Sequence, residues 1–197
     1  MILNQQLANW HVILASASPR RQELLRGLGI DFEVDTRSNT NELYDPDLPK
    51  AEVAEFLARL KSEGFHRPLQ AQELLITADT VVCIDNQILG KPTDRQDALR
   101  MLQQLSGRSH TVYTGVALRT ADKLHSFSVG SDVHFREITP EEMAFYIDNY
   151  RPFDKAGAYG IQEWIGYATI TGLQGSYFNV MGLPVQRLYD ELSQFVL

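Results

Sequence analysis

Cysteine is almost missing. Cys83 stands alone in 197 residues, so neither an intrachain disulfide nor a cysteine-only metal cluster can form, which fits a reducing compartment. Positive charge is also scarce. With 18 Lys and Arg against 25 Asp and Glu, the formal net charge is -7, and a phosphate backbone would repel the chain. That excludes a nucleic-acid polymer as a general partner, and any anion site must be local. No run approaches the ~18 apolar residues that span a bilayer. "MILNQQLANWHVILAS" has no basic residue before its apolar run and is broken by Asn and Gln, so it does not read as a signal peptide. A cytoplasmic protein that does not engage membranes is the expectation. His11, His66, His110, His125 and His134 show no metal-ligand spacing and read as structural. The Walker pattern G-x-x-x-x-G-K-[ST] is absent. No repeat, low-complexity tract or linker divides the chain, and its 44% hydrophobic content supports a single domain over residues 1–197.

What is present is a mixed order of strands and helices. Val12, Ile13 and Leu14 form a short buried strand that delivers the backbone to a turn. Ser18 then caps a helix with Pro19 at its first position and Leu24, Leu25 and Leu28 on one stripe, stopped at Gly29. The polar stretch from Asp35 to Pro49 reads as an exposed loop. Val53, Phe56, Leu57 and Leu60 mark the buried face of an amphipathic helix, with Lys61 beside it. Leu74–Ile76 and Val81–Ile84 are two β-prone runs interrupted by "TADT", and Asp85-Asn86 is a hairpin turn. Asp94 caps a helix with Ala98, Met101, Leu102 and Leu105 inward. "HTVYTGVALRT" and "KLHSFSVGSDVHF" alternate as antiparallel strands. Thr139, Pro140 and Glu142 open a further helix with a capping box. Glycines dominate "DKAGAYGIQ", "TGLQGSY" and "VMGLP", and a last helix carries Val185, Leu188, Tyr189 and Leu192. The class is α/β, with a central mixed sheet flanked by helices.

Chemistry can be sought at a few positions. Arg20 and Arg21 lie in a first helical turn, where cations oppose the dipole by ~0.3–1 kcal/mol each. Such a turn suits an arriving anion, since free N–H groups and guanidinium forks both match phosphate. The alternative is that both are solvated or paired with Glu23 and Glu42. Asp79 could hold a divalent cation or take a proton from water, or it could simply cap a turn. Lys61 and Lys91 are surface residues by default, although "GKP" would present the Lys91 amine at a fixed angle. Glu42 alone is uninformative. Gln162 offers an acceptor and a donor that could meet a uracil or thymine edge, whereas a Glu could only accept; a flipped Gln could also read cytosine.

Taken together, "LASASPRRQELL", "ARLKSE", "TADTVV", "LGKPTD", "LSGRSHTVYTGVAL", "FDKAGAYGIQ" and "GSYFNVMGLP" closely resemble the Maf family of nucleoside triphosphate pyrophosphatases. The resemblance implies a two-lobed fold related to the ITPases with a deep nucleotide cleft, a cytoplasmic homodimer, and a divalent metal (Mg²⁺, Mn²⁺ or Co²⁺). It implies cleavage of a nucleoside triphosphate substrate between its α- and β-phosphates. Carried over by position, Ser16, Arg20, Arg21, Lys61 and Lys91 would contact phosphates, Asp79 would accept the proton of water, and Glu42 with Asp79 would hold the metal. Arg20, Thr80 and Gln162 match the branch of the family that prefers dTTP and UTP, which implies cleaning of the nucleotide pool. Two alternatives stand beside it: a non-catalytic nucleotide-binding regulator of cell division, and a pyrophosphatase for modified guanine nucleotides.

Overall fold

Helix starts follow their capping signals. The computed structural model describes residues 2–196. Its helices are α1 (Leu3–Gln6), α2 (Pro19–Gly27), α3 (Lys50–Glu63), α4 (Arg95–Leu105), α5 (Pro140–Tyr150), α6 (Trp164–Thr169), α7 (Tyr177–Met181) and α8 (Val185–Phe195). Its strands are β1 (His11–Leu14), β2 (Glu33–Val34), β3 (Glu73–Ile84), β4 (Gln87–Leu89), β5 (Ser109–Arg119), β6 (Leu124–Phe135) and β7 (Ile170–Gln174). The Ser18 hydroxyl accepts the Arg21 N–H at the start of α2, the Asp94 carboxylate accepts the Asp97 N–H at the start of α4, and Thr139 and Glu142 close a reciprocal capping box on α5. Asp85 and Asn86, at φ 50° and 59°, make the turn between β3 and β4.

The sheet is mixed, in the order β2-β1-β3-β5-β6-β7 with β4 added to β3. β1 runs parallel to β2 and β3, while β4 is antiparallel to β3 and β7 to β6. The chain forms two compact units, one comprising residues up to Asp79, Thr114–Val129 and the chain from Gly182, the other Thr80–Tyr113 and Gly130–Met181. In the first, β1 and the start of β3 are buried almost without interruption, as parallel strands covered on both faces are, and Val53, Leu57, Leu188 and Leu192 are buried as well. The second has its own apolar core, in which Met101, Leu102 and Leu105 of α4 join Phe135, Met143, Tyr146 and Tyr159.

Three sequence expectations need correction. "TADT" does not interrupt a strand: β3 is continuous, and Asp79 lies within it rather than at its end. The polar side chains find partners without a turn, Thr77 donating to the Ala58 carbonyl at 2.7 Å and Asp79 pairing with Lys61. On α3 the inward stripe is Val53, Ala54, Leu57, Ala58 and Ser62, and Phe56 is 39% exposed. The cause is a close approach of β5, where a Cβ on Gly115 would lie 2.2 Å from the Ala54 carbonyl group, so only small side chains fit at that crossing. Asp35, placed in an exposed loop, is buried and bonded to Arg37 and His66, which hold its carboxylate well below the usual range despite the burial.

His110, 3% exposed, shares a 2.7 Å hydrogen bond with the Tyr159 hydroxyl, and burial pushes its imidazole down to about 4. The unfolded chain therefore binds a proton near the ordinary 6.5 that the folded chain refuses until about pH 4. Stability from this group is complete above the higher value and falls as pH drops through the window, by about 3 kcal/mol in total. Urea midpoints measured from pH 7.5 to 4.5 should decline, and His110→Phe should flatten that decline. An equal slope in both proteins would refute the assignment. Glu73 acts in a lower window, since Arg67 holds its carboxyl at about 2.

Candidate active site

The first unit assembles most of the chemistry-bearing side chains. β1 ends at Leu14, and the Ala15 N–H continues its pairing by donating to the Ile76 carbonyl at 2.9 Å. The next residues turn into α2, with the Ser18 N–H donating to the Ser16 hydroxyl at 3.3 Å and the Gln22 amide donating to the Ser16 carbonyl at 3.3 Å. Parallel pairing of β1 with β3 thus sets the start of α2 beside the middle of β3. Arg21 closes that junction. Its Nη1 donates to the Ala78 carbonyl and its Nε to the Gly182 carbonyl, both at 2.8 Å, and Nη1 lies 3.5 Å from the Ser16 hydroxyl.

Lys61, near the end of α3, reaches the same place. Its ammonium pairs with Asp79 Oδ1 and lies 3.4 Å from Glu42 Oε2. The Lys61 and Asp79 side chains are only 21% and 15% exposed, so water screens this pair less than an ordinary surface one. Burial lowers the affinity of the Arg21 guanidinium for its proton, Asp79 and Glu42 oppose that shift, and Arg20 adds to it. Arg20, Glu42 and Asp79 therefore all act on Arg21 through their charges, and Lys61 joins Glu42 and Asp79 by contact. Three cations face two carboxylates in an otherwise acidic chain, at the N-terminus of a nine-residue helix. The arrangement can bind a polyanion and presents a carboxylate able to accept a proton.

The second unit holds the other predicted positions. Thr80 follows Asp79 on β3, and Lys91 is exposed just past β4, beside Gly90, whose carbonyl accepts the Gly157 N–H at 3.0 Å. Gly157 has φ +68°, and a Cβ there would lie 2.9 Å from the Val82 side chain, so this glycine is required. Gln162 lies five residues further on, and its Oε1 is buried without a hydrogen-bond partner. A buried acceptor left unpaired costs ~1–3 kcal/mol, which a bound N–H donor would recover.

Among the described residues no group of three or more His, Cys, Asp or Glu could hold a metal ion. Asp79 and Glu42 do converge on one cation, the Lys61 ammonium. Two hard carboxylates fit Mg²⁺ in the mode where the ion keeps waters and takes its remaining ligands from substrate phosphates. Two features escaped the sequence reading. The carbonyls of Ala78 and Gly182 that anchor Arg21 are backbone atoms and carry no residue signature. A buried network of Tyr146, Lys155 and Glu163 beside Gln162 is the other, and its sole hint was a lysine inside a glycine-rich segment.

The fold is shared with the solved structure of a HAM1 protein from Coxiella burnetii, at TM-score 0.52 and 17% identity over 94% of this chain and 99% of that one. It is a mixed α/β architecture with a central sheet flanked by helices. The family profile described as Maf-like protein matches residues 11–195, and the chain belongs to the Maf family. It is 50% identical over 188 residues to a Bacteroides thetaiotaomicron protein named dTTP/UTP pyrophosphatase, covering 95% of this chain and 97% of that one. Proteins of the same name from Porphyromonas gingivalis and Flavobacterium johnsoniae are 50% and 41% identical, over 96% and 99% of this chain and 96% and 100% of their own lengths.

Proposed function

We propose that this protein hydrolyses dTTP and UTP between the α- and β-phosphates, releasing the nucleoside monophosphate and pyrophosphate. The observation that carries this reading is Asp79, set within β3 between the Lys61 ammonium and the arginine-bearing start of α2. The names of the relatives supply the substrate. Asp79 takes a proton from water as its oxygen attacks the α-phosphorus, and pyrophosphate leaves on the opposite side. Ser16, Arg20, Arg21, Lys61 and Lys91 contact phosphate oxygens and offset the charge that develops on them. Asp79 and Glu42 would hold a divalent cation, Mg²⁺, Mn²⁺ or Co²⁺, together with phosphate oxygens; when bound it supplies further neutralisation of the triphosphate.

Arg20, Thr80 and Gln162 set the base preference. The unpaired Gln162 Oε1 suits the N3–H of uracil or thymine, while its amide donates to a base carbonyl. Gln162→Glu removes that donor and leaves the carbonyl unpaired, at a cost of ~1–3 kcal/mol. The kcat/KM ratio for UTP over GTP should fall accordingly, and an unchanged ratio would sink the base-reading role. We place the enzyme in the cytoplasm as a homodimer that cleans the nucleotide pool, on the strength of the family resemblance; among the described residues no helix is long and apolar enough to cross a membrane. A panel of ordinary and modified triphosphates with each of the three metals, scored for pyrophosphate release, tests the function. Fastest turnover of dTTP and UTP is expected, and a panel without turnover would favour the regulator.

A further inference from the structure

Gln162 sits in a segment held on both sides. The Gly160 N–H donates to the Tyr146 hydroxyl at 3.0 Å, and the Glu163 N–H donates to the Gly160 carbonyl at 3.0 Å. Ile161 is buried in the apolar core, and its carbonyl lies so near Gly166 that a Cβ there would approach within 1.9 Å. Glu163, directly after Gln162, is gripped by both oxygens. One accepts the Tyr146 hydroxyl, and the other lies 3.1 Å from the Lys155 ammonium. Tyr146 is fully buried on α5, and Lys155 is buried as well, with Asp154 Oδ1 at 2.7 Å as its second partner. A loop that had only to connect α5 to α6 would not need a buried lysine, a buried phenol and a carboxylate to fix Gly160 and Glu163 on either side of Gln162.

We propose that Tyr146, Glu163 and Lys155 form a clamp that positions Gln162, and that this clamp sets how sharply the enzyme distinguishes bases. The proposal rests on Gln162 being the base reader. A shift of the backbone here would carry the orphan Oε1 toward water and relieve the cost of its burial; a backbone fixed on both sides removes that escape and keeps the acceptor waiting for a donor. The network also occupies the Glu163 carboxylate. That acceptor-only group lies one residue from Gln162 and would otherwise compete for the same base N–H. Tyr146, Glu163 and Lys155 are positioning residues, acting on the substrate through Gln162.

The test compares UTP and GTP hydrolysis in the full-length protein with Mg²⁺ present. Tyr146→Phe keeps the ring in the core and removes only the hydroxyl, which frees one Glu163 oxygen and the Gly160 N–H. KM for UTP should rise about tenfold with kcat within about twofold of the parent, and the UTP-to-GTP ratio of kcat/KM should fall by about the same tenfold. Glu163→Gln carries the same readout if the tyrosine variant fails to fold, and Lys155→Arg should hold the ratio better than Lys155→Met because it keeps the ion pair. Loss of activity toward both nucleotides in equal measure would overturn the proposal and leave the network a purely structural one. Gln162→Glu separates the two failures. If it shifts the ratio while Tyr146→Phe and Glu163→Gln do not, the clamp is wrong and the base reader stands; if it leaves the ratio unchanged, the base reader falls and takes the clamp with it.

Discussion

Asp79→Asn should lower kcat for UTP by ~10²–10⁴-fold while leaving metal-free nucleotide binding intact. Asparagine matches aspartate in shape, so β3 keeps its course through this position. What disappears is the only proton acceptor paired with Lys61 on that strand, and with it a negative charge facing the incoming triphosphate. Losing that charge removes a repulsion toward the bare polyanion, so in the absence of divalent metal the variant should bind a non-hydrolysable UTP analogue at least as well as the parent does. Lys61 retains Glu42 at 3.4 Å as a counter-charge, so gross unfolding is not expected. Full turnover in Asp79→Asn would mean that another group activates the water.

Gly115→Ala should destabilise the protein by about 3 kcal/mol or more, at the upper end for overpacking. The added Cβ would lie 2.2 Å from the carbonyl carbon and oxygen of Ala54 and 2.3 Å from the Glu55 nitrogen. Those are backbone atoms of α3, so no side chain can rotate aside; the helix must move as a body. Lys61 lies about two turns along that helix, and the movement would draw its ammonium from Asp79. Thermal unfolding should drop by about 6–12 °C for a chain of this size, and turnover should fall with it. Ala54→Gly should not rescue the variant, because the clash is with main chain. Gly27→Ala is the control: a Cβ there meets nothing within 4 Å, and the parent melting temperature or a slightly higher one is expected. A Gly115→Ala protein that melts with the parent would show that α3 and β5 are not so closely apposed.

The helix starts at Ser18, Asp94 and Thr139 were legible because each is written in four adjacent residues, and the Asp85-Asn86 turn for the same reason. Continuity of β3 through "TADT" was not, since it depends on Ala58 and Lys61 reaching over from α3 to satisfy Thr77 and Asp79. The inward face of α3 is not written in its large apolar residues, because alanines carry little hydrophobic signal, and what calls for a small residue at Ala54 is the close approach of Gly115 on β5. β7, α6 and α7 were hidden in a glycine-rich stretch, where β7 is held by its pairing with β6 and buries little of its own surface. Within the candidate site the ionisable residues could be picked out by family resemblance. The residues around Arg20 and Arg21 by themselves point no further than a phosphate-like anion, because the partners that converge there come from residues 16 to 182 and meet only in the fold.

The most direct measurement is hydrolysis of UTP in ¹⁸O-labelled water followed by mass analysis of both products. Attack at the α-phosphorus predicts one labelled oxygen in UMP and none in pyrophosphate. Label in pyrophosphate, or release of orthophosphate with UDP, would contradict it.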